Sequence, residues 1–208
     1  MTYRLFIFDF DGTLADSFPF FSRVFNQIAD EYGFKRIDPE LAHTYRHLTP
    51  QQMMREVAMP TWKLPAIAKR FIGLMNQNAA GISLFDGVDE MLVELAHKGA
   101  VLAIVSSNSE QNVRQILGEA NARHFSQFEC GMSMFGKASR IRKVMKAAAI
   151  PGREVICIGD QVTDLEAAHK EQVAFGAVTW GYGAIESMRP HLPAQEFDTV
   201  ASIARAAA

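Results

Sequence analysis

Two aspartates one residue apart, in Asp9-Phe10-Asp11-Gly12-Thr13, close a short apolar run near the start of the chain. Alternate side chains of an extended backbone point the same way, so both carboxylates can face one site. Such neighbours repel unless a cation lies between them or one keeps a proton. Both solutions serve catalysis, because a divalent ion neutralises one carboxylate and a proton makes the other a general acid. Gly12 permits the tight turn that follows. A solvated acidic turn would use the same residues, so the pair alone decides nothing.

Three further sets widen the reading. Ser106-Ser107-Asn108 offers hydroxyls and backbone N–H groups that can hold a phosphate at a strand-to-helix turn, or cap a helix. Lys137, in Phe-Gly-Lys-Ala-Ser, is a compact positive charge suited to phosphate or simply to the surface. Gly159-Asp160-Gln161-Val162-Thr163-Asp164 places two aspartates four apart, within one turn if a helix starts there. Carboxylate oxygens with few other protein ligands suit Mg²⁺ (magnesium), which keeps several waters. Asp164 could equally cap that helix.

These residues need elements to bring them together. Residues 3–8 read as a buried strand, and further strands are expected at 100–106, 154–158 and 173–179, with a weaker one near 125–130. Val88 to Lys98 has helical apolar spacing and stops at Gly99. Ile141, Val144, Met145 and Ala148 repeat that spacing. Near-continuous apolar strands alternating with helices predict an α/β fold, a Rossmann-like parallel sheet with helices on both faces. The four chemical sets then fall at the carboxyl edge of that sheet, where ligands bind.

The segment 16–82 breaks the alternation and reads as an inserted all-helical cap, leaving 1–15 plus 83–208 as the core domain. Phe18, Phe21, Val24, Phe25 and Ile28 form a helical stripe, with Ser17 placed to cap it and Pro19 in its first turn. Asp38-Pro39 is a second cap-then-proline start, and Thr49-Pro50-Gln51-Gln52 has the capping-box pattern. Pro65 to about Asn78 supplies another helix, and Ala204 to Ala208 a frayed one.

Composition sets the outer bounds. The 208 residues exceed a typical domain of about 100–150, which agrees with a core plus insertion. Hydrophobic residues are 49% and charged residues 21%, an ordinary globular balance. A formal charge of −2 offers no sign of nucleic-acid or anionic-membrane binding. No run approaches the roughly 20 apolar residues of a membrane span, and Leu5 to Phe8 is too short for a secretory signal. Cys130 and Cys157 read as buried free thiols suited to a reducing compartment, so the cytoplasm is the expected address and a monomer the default.

Taken together, the motifs resemble the haloacid dehalogenase-like hydrolase superfamily. Asp9-Phe10-Asp11-Gly12-Thr13-Leu14 with Asp16-Ser17 is similar to its first motif, D-x-D-G-T-L-x-D-S. Ser106, Lys137 and the 159–164 segment follow as its second, third and fourth, in order. Trp180-Gly181-Tyr182-Gly183 resembles the run after the last strand in phosphoglycolate-phosphatase-like members, whose cap occupies the position of the inserted helices. The resemblance implies a Mg²⁺-dependent phosphatase acting on a small phosphorylated metabolite through a phospho-aspartate. Asp9 would be nucleophile and metal ligand. Asp11 would be general acid and base, with its backbone carbonyl on the metal. Asp160 would complete the protein ligands, and Asp164 would act behind them or through water. Ser106, the Ser107 N–H and Lys137 would hold the phosphoryl oxygens; which of the two serines gives the hydroxyl stays open, with Ser106 preferred for following the strand directly.

Alternatives use the same residues. A sugar-phosphate mutase shares the scaffold. A dehalogenase would lack the second aspartate and need no metal, so Asp11 and Asp160 oppose it. A phosphonate hydrolase would use a cap lysine, and neither Lys63 nor Lys69 stands out. A phospho-receiver domain would be about 120 residues without an insertion, and would regulate rather than turn over. In the cap, His43 and His47 have a zinc-like spacing but no third ligand. Met53-Met54 and the phenylalanine stripe read as core packing. Arg46 reads as a solvated side chain or as a contact to a substrate's carboxylate or second phosphate.

Overall fold

The computed structural model describes residues 2–38, 44, 45, 47, 48, 50–131 and 136–208. At its centre lies β1 (Leu5–Phe8), every residue of which is buried. It pairs in parallel with β2 (Val101–Val105) on one side and β4 (Val155–Gly159) on the other, with Phe8 level with both Ile104 and Ile158. β3 (Phe125–Glu129), β5 (Ala174–Val178) and β6 (Gln195–Phe197) extend the sheet to the order β3-β2-β1-β4-β5-β6, all parallel. With two neighbours and two covered faces, a central strand has no side that can be polar.

Helices cover each face. Leu5 and Ile7 point into one core with α6 (Gly136–Ala148), α7 (Val162–Lys170) and α8 (Ile185–Met188). Phe6 and Phe8 point into the other with α4 (Val88–His97), α5 (Glu110–Ala122) and α9 (Val200–Ile203). The predicted stop of α4 holds: Gly99 adopts φ 74°, and its N–H and that of Ala100 return to Ala96 and Leu95.

Among the described residues of 16–82, the regular structure is helical: α1 (Phe18–Tyr32), α2 (Pro50–Glu56), α3 (Leu64–Asn78) and two short 3-10 turns. The chain leaves and re-enters the sheet side by side, with Asp16 N–H bonded to Ser83 O and Phe85 N–H to Leu14 O. Phe20, Val24 and Ile28 of α1 and Ile67, Leu74 and Met75 of α3 continue the Phe6/Phe8 core upward. Phe25, Ile37 and Val57 form a separate cluster. The starts expected at Asp38-Pro39 and Thr49-Pro50 involve Pro39 and Thr49, which lie outside the described residues.

Three expectations need correction. β6 has no counterpart in the sequence reading, because a three-residue edge strand carries too little pattern. Ser17 stands before α1 but makes no side-chain cap bond, since its hydroxyl is used elsewhere. The terminal alanines are not frayed. Ala204, Ala206 and Ala207 are buried, and Tyr3 N–H bonds Ala206 O at 2.8 Å while Ala208 N–H bonds Tyr3 O at 3.2 Å. Small side chains let this segment lie against the Phe6 face. Removing residues 204–208 deletes three buried methyl groups whose burial is worth about 0.8 kcal/mol each, besides the Tyr3 pairing. A loss of at least about 2 kcal/mol in urea unfolding is expected, where a frayed end would cost nothing measurable.

Candidate active site

The carboxyl edge of the sheet collects the chemical residues. Asp9 follows β1, Ser106 follows β2 and Asp160 follows β4, while Lys137 and Asp164 stand in the first turns of α6 and α7. Lys137 Nζ lies 2.7 Å from Asp9 Oδ1 and also pairs with Asp164. Asp9, Asp160 and Asp164 each offer a carboxylate oxygen within 4.8 Å of the others. Three buried carboxylates thus lie together, two of them, Asp9 and Asp164, paired with one ammonium.

The titration of these groups follows. Burial raises the Asp9 pKa well above the ordinary value; Lys137 opposes this, and Asp164 and Asp160 add to it. Burial, then the neighbouring Asp164, pushes Asp160 up to about 7. Burial pulls Lys137 down, but Asp164 and Asp9 outweigh it and hold the ammonium charged. A site that strains to ionise its carboxylates is short of positive charge. Hard oxygen donors at this spacing suit a divalent cation such as Mg²⁺, and Asp9, Asp160 and Asp164 are the side chains that could hold it.

Asp160 is clamped by the loops on either side. Thr13 Oγ1 donates to Asp160 Oδ1 at 3.3 Å, and Tyr182 N–H donates to Oδ2 at 2.7 Å. A Cβ at Gly12 would lie 2.5 Å from Asp160 Oδ2, and one at Gly181 would lie 2.1 Å from Asp160 Cβ. Only bare backbone fits that close. Asp164 closes a capping box on α7, accepting from the Gln161 N–H at 3.2 Å, while it also pairs with Lys137. The capping and the site readings of this residue therefore hold together.

Asp11 lies on the same cavity as Asp9 but in different company. Ser17 Oγ donates to Asp11 Oδ1 at 2.7 Å, and Asn108 Nδ2 donates to Oδ2 at 2.9 Å. The Ser17 hydroxyl also shares a hydrogen bond of 2.5 Å with the Tyr182 hydroxyl. Asn108 is locked in turn, its Oδ1 accepting from the Ser109 N–H at 2.8 Å and from Asn112 Nδ2 at 3.0 Å. Burial raises the Asp11 pKa, while the bonds from Ser17 and Asn108 moderate the rise.

Ser107 is exposed on the cavity wall, whereas Ser106 is buried and its Oγ accepts the Asn108 N–H at 3.1 Å. Arg140 donates to the Ser106 carbonyl at 2.8 Å and pins the loop. Sequence reasoning missed Ser17, Asn108 and Tyr182 as contributors. Ser17 sat in the first motif but was read as a helix cap, Asn108 was quoted without a role, and Tyr182 was visible only through the Trp-Gly-Tyr-Gly run. Arg46 lies outside the described residues, as does His43. The phenylalanine stripe of α1 divides: Phe25 is buried, but Phe18 and Phe21 are half-buried on the wall of a cavity of about 900 Å³, as is Met53.

Comparison with known proteins places this geometry in context. A family model described as haloacid dehalogenase-like hydrolase matches residues 6–178. A phosphoglycolate phosphatase of Synechococcus elongatus is 28% identical over 201 residues, covering 96% of this chain and 95% of that one. The tyrosine-protein kinase PtkA of Mycobacterium bovis is 27% identical over 185 residues, covering 86% of this chain and 63% of its own length. Among solved structures, a haloacid dehalogenase-like hydrolase of Streptococcus pneumoniae aligns with a TM-score of 0.81 at 18% identity, covering 97% and 96% of the two chains. Among the described residues, no helix is long and apolar enough to cross a membrane.

The crowding of carboxylates predicts a pH signature. With its pKa raised from 3.8 to about 7, Asp160 binds a proton more tightly folded than unfolded. Between those values the metal-free protein holds more protons than the unfolded chain, so this group's contribution makes stability fall as pH rises. In chelator, the Tm of Asp160→Asn minus that of wild type is therefore expected to grow from pH 4 to pH 8. Added Mg²⁺ at pH 7.5 is expected to raise the wild-type Tm and to affect the variant less. A wild-type Tm indifferent to Mg²⁺ would remove the cation from this cluster.

Proposed function

Because the chain belongs to the haloacid dehalogenase-like hydrolases, we propose that it is a phosphoric monoester hydrolase that passes the phosphoryl group first to Asp9 and then to water. The observation that carries this reading is the contrast between the paired carboxylates. Asp9 touches the Lys137 ammonium, which favours its anion against the burial and the neighbouring Asp164 and Asp160 carboxylates that oppose it. Asp11 is half-buried and accepts from two neutral donors, the hydroxyl of Ser17 and the amide of Asn108; desolvation raises its pKa against those bonds, which leaves it able to carry a proton. Two acids of one motif with separated environments are the arrangement a nucleophile and a general acid require.

The reaction follows from those roles. An Asp9 carboxylate oxygen attacks phosphorus while the ester oxygen leaves with the proton of Asp11. Asp11, now ionised, takes a proton from the water that attacks the phospho-aspartate, releasing phosphate and restoring both acids. Lys137, the Ser106 hydroxyl and the Ser107 N–H hold the phosphoryl oxygens. The Asn108 N–H bond to Ser106 leaves that hydroxyl's own proton to donate. Asp9, Asp160 and the Asp11 backbone carbonyl, with Asp164 behind or through water, would hold Mg²⁺, which would supply charge neutralisation at the phosphoryl group. Ser17, braced by Tyr182, fixes the rotamer of Asp11.

The helical segment 16–82 acts as the cap that excludes water from this chemistry. The name of the Synechococcus relative makes 2-phosphoglycolate one ester to test, with Arg46 as a candidate cap contact. Release of inorganic phosphate separates this reading from a phosphomutase, a phospho-receiver and the kinase activity that the PtkA name carries.

Two measurements test the assignment. Asp9→Asn is expected to form no phosphoenzyme on rapid quench. Asp11→Asn is expected to lose about 10²–10⁴-fold with an alkyl phosphate, and less in the first step with p-nitrophenyl phosphate, whose leaving group needs little protonation. Equal losses would return Asp11 to a structural role. Tyr182→Phe removes one neutral hydrogen bond from the brace, so kcat is expected to fall about 2–12-fold, the equivalent of 0.5–1.5 kcal/mol, with KM little changed. A change in KM alone would place the hydroxyl on the substrate instead.

A further inference from the structure

The cavity above Asp9 and Lys137 is far more apolar than a site for a short anionic metabolite requires. Its wall on the helical side is made by Phe18, Phe21, Phe25, Phe71, Leu48 and Met53. The rings hold one another in place. Phe18 and Phe21 stack at 6.2 Å, Phe21 and Phe71 meet at 5.6 Å, and Phe18 lies edge-on to Tyr182 at 5.2 Å. On α1 the spacing sorts two faces: Phe20, Val24 and Ile28 enter the core, while Phe18, Phe21 and Phe25 follow the adjoining stripe along the cavity.

Polar groups on that side are few. The Asn26 amide is consumed by the backbone of Ile37, donating to its carbonyl and accepting from its N–H, both at 2.8 Å. Ser22, Tyr45 and His47 remain, and among the described residues the cavity's Lys and Arg content is Lys137 alone, already paired with Asp9 and Asp164. Among the described residues, a carboxylate carried into this chamber on the substrate would meet no Lys or Arg of its own, and shedding its water there is costly. An aromatic or aliphatic body would lose little and gain contact with preformed rings. The volume of about 900 Å³ lies near the top of the range for ligand pockets, about 300–1,000 Å³, so a two-carbon acid would leave much of it unfilled.

We infer that the substrate is a phosphomonoester of a bulky apolar alcohol, its phosphate at Asp9 and Lys137 and its hydrocarbon or aromatic body against Phe18, Phe21 and Phe71. The inference rests on the phosphatase reading above and adds the class of leaving group. Within the same family, it departs from the substrate in the name of the Synechococcus relative.

The test compares esters with alike alcohols as leaving groups, so that chemistry is held constant and binding is read. The purified full chain with Mg²⁺ is given 3-phenylpropyl phosphate, propyl phosphate and 2-phosphoglycolate, with p-nitrophenyl phosphate as a generic ester. A methylene in an apolar pocket changes kcat/KM by about 10–200-fold. The phenylpropyl ester is therefore expected to exceed both small esters by at least about 100-fold. Phe21→Ala is expected to lower the ratio of phenylpropyl to propyl ester about 10-fold or more, and Met53→Lys to shift preference toward 2-phosphoglycolate. Hydrolysis of 2-phosphoglycolate as fast as the phenylpropyl ester would overturn the inference and leave the phosphatase reading standing. So would a phenylpropyl-to-propyl ratio unmoved by both variants. Release of no phosphate from any of the four esters would overturn the phosphatase reading itself.

Discussion

Three buried carboxylates gathered around a single lysine are the constraint on which the rest of this structure depends. Asp9, Asp160 and Asp164 would not stay together without something to hold them against their repulsion. Lys137 supplies part of it through its contacts to Asp9 and Asp164. The fold supplies the remainder mechanically. Asp9 is tied at its N–H to Ile158 O in the neighbouring strand, and the Asp160 carboxylate is gripped by Thr13 and the Tyr182 N–H. Negative charge crowded in place by hydrogen-bonded scaffolding is preorganised, the arrangement that the proposed cation and phosphoryl group would require.

The sheet makes that crowding possible. Parallel strands with level registers bring the ends of β1, β2 and β4 to one edge, and the helices that cover both faces begin there. Helix N-termini then add N–H groups where anions bind. Distance in sequence is irrelevant to this convergence. Asp11 and Tyr182 are separated by most of the chain, yet Ser17 joins them through two short hydrogen bonds.

The helical segment is tied to the chemistry at its root. Ser17, immediately before α1, bonds Asp11, and the Asn108 side-chain amide (Nδ2) donates to the Met75 sulfur of α3 at 2.9 Å. Tyr182 contacts Phe18 and Phe21 on the same helix. The aromatic cavity wall and the hydrogen bonds to Asp11 are thus parts of one packed unit.

The sequence by itself was enough for the strands, because buried parallel strands are apolar throughout and end at recognisable turns. It was also enough to bring the candidate site residues together: Asp9-x-Asp11 and Gly159-Asp160 announce their positions at strand ends, and Lys137 could be joined to them through motif order. It could not disclose β6, whose three residues carry no period, or the buried terminal alanines, whose low propensity for any one structure leaves packing to decide. It misread Ser17, since a serine before a helix caps more often than it serves a distant carboxylate, and only the approach of Tyr182 and Asp11 redirects its hydroxyl. The phenylalanines of α1 show the limit most clearly. Their spacing read as one apolar helical stripe, but which of its residues meet the core and which meet a cavity depends on what lies across from each. That was decided by the tertiary structure, because burial is a property of two surfaces and a sequence presents only one of them.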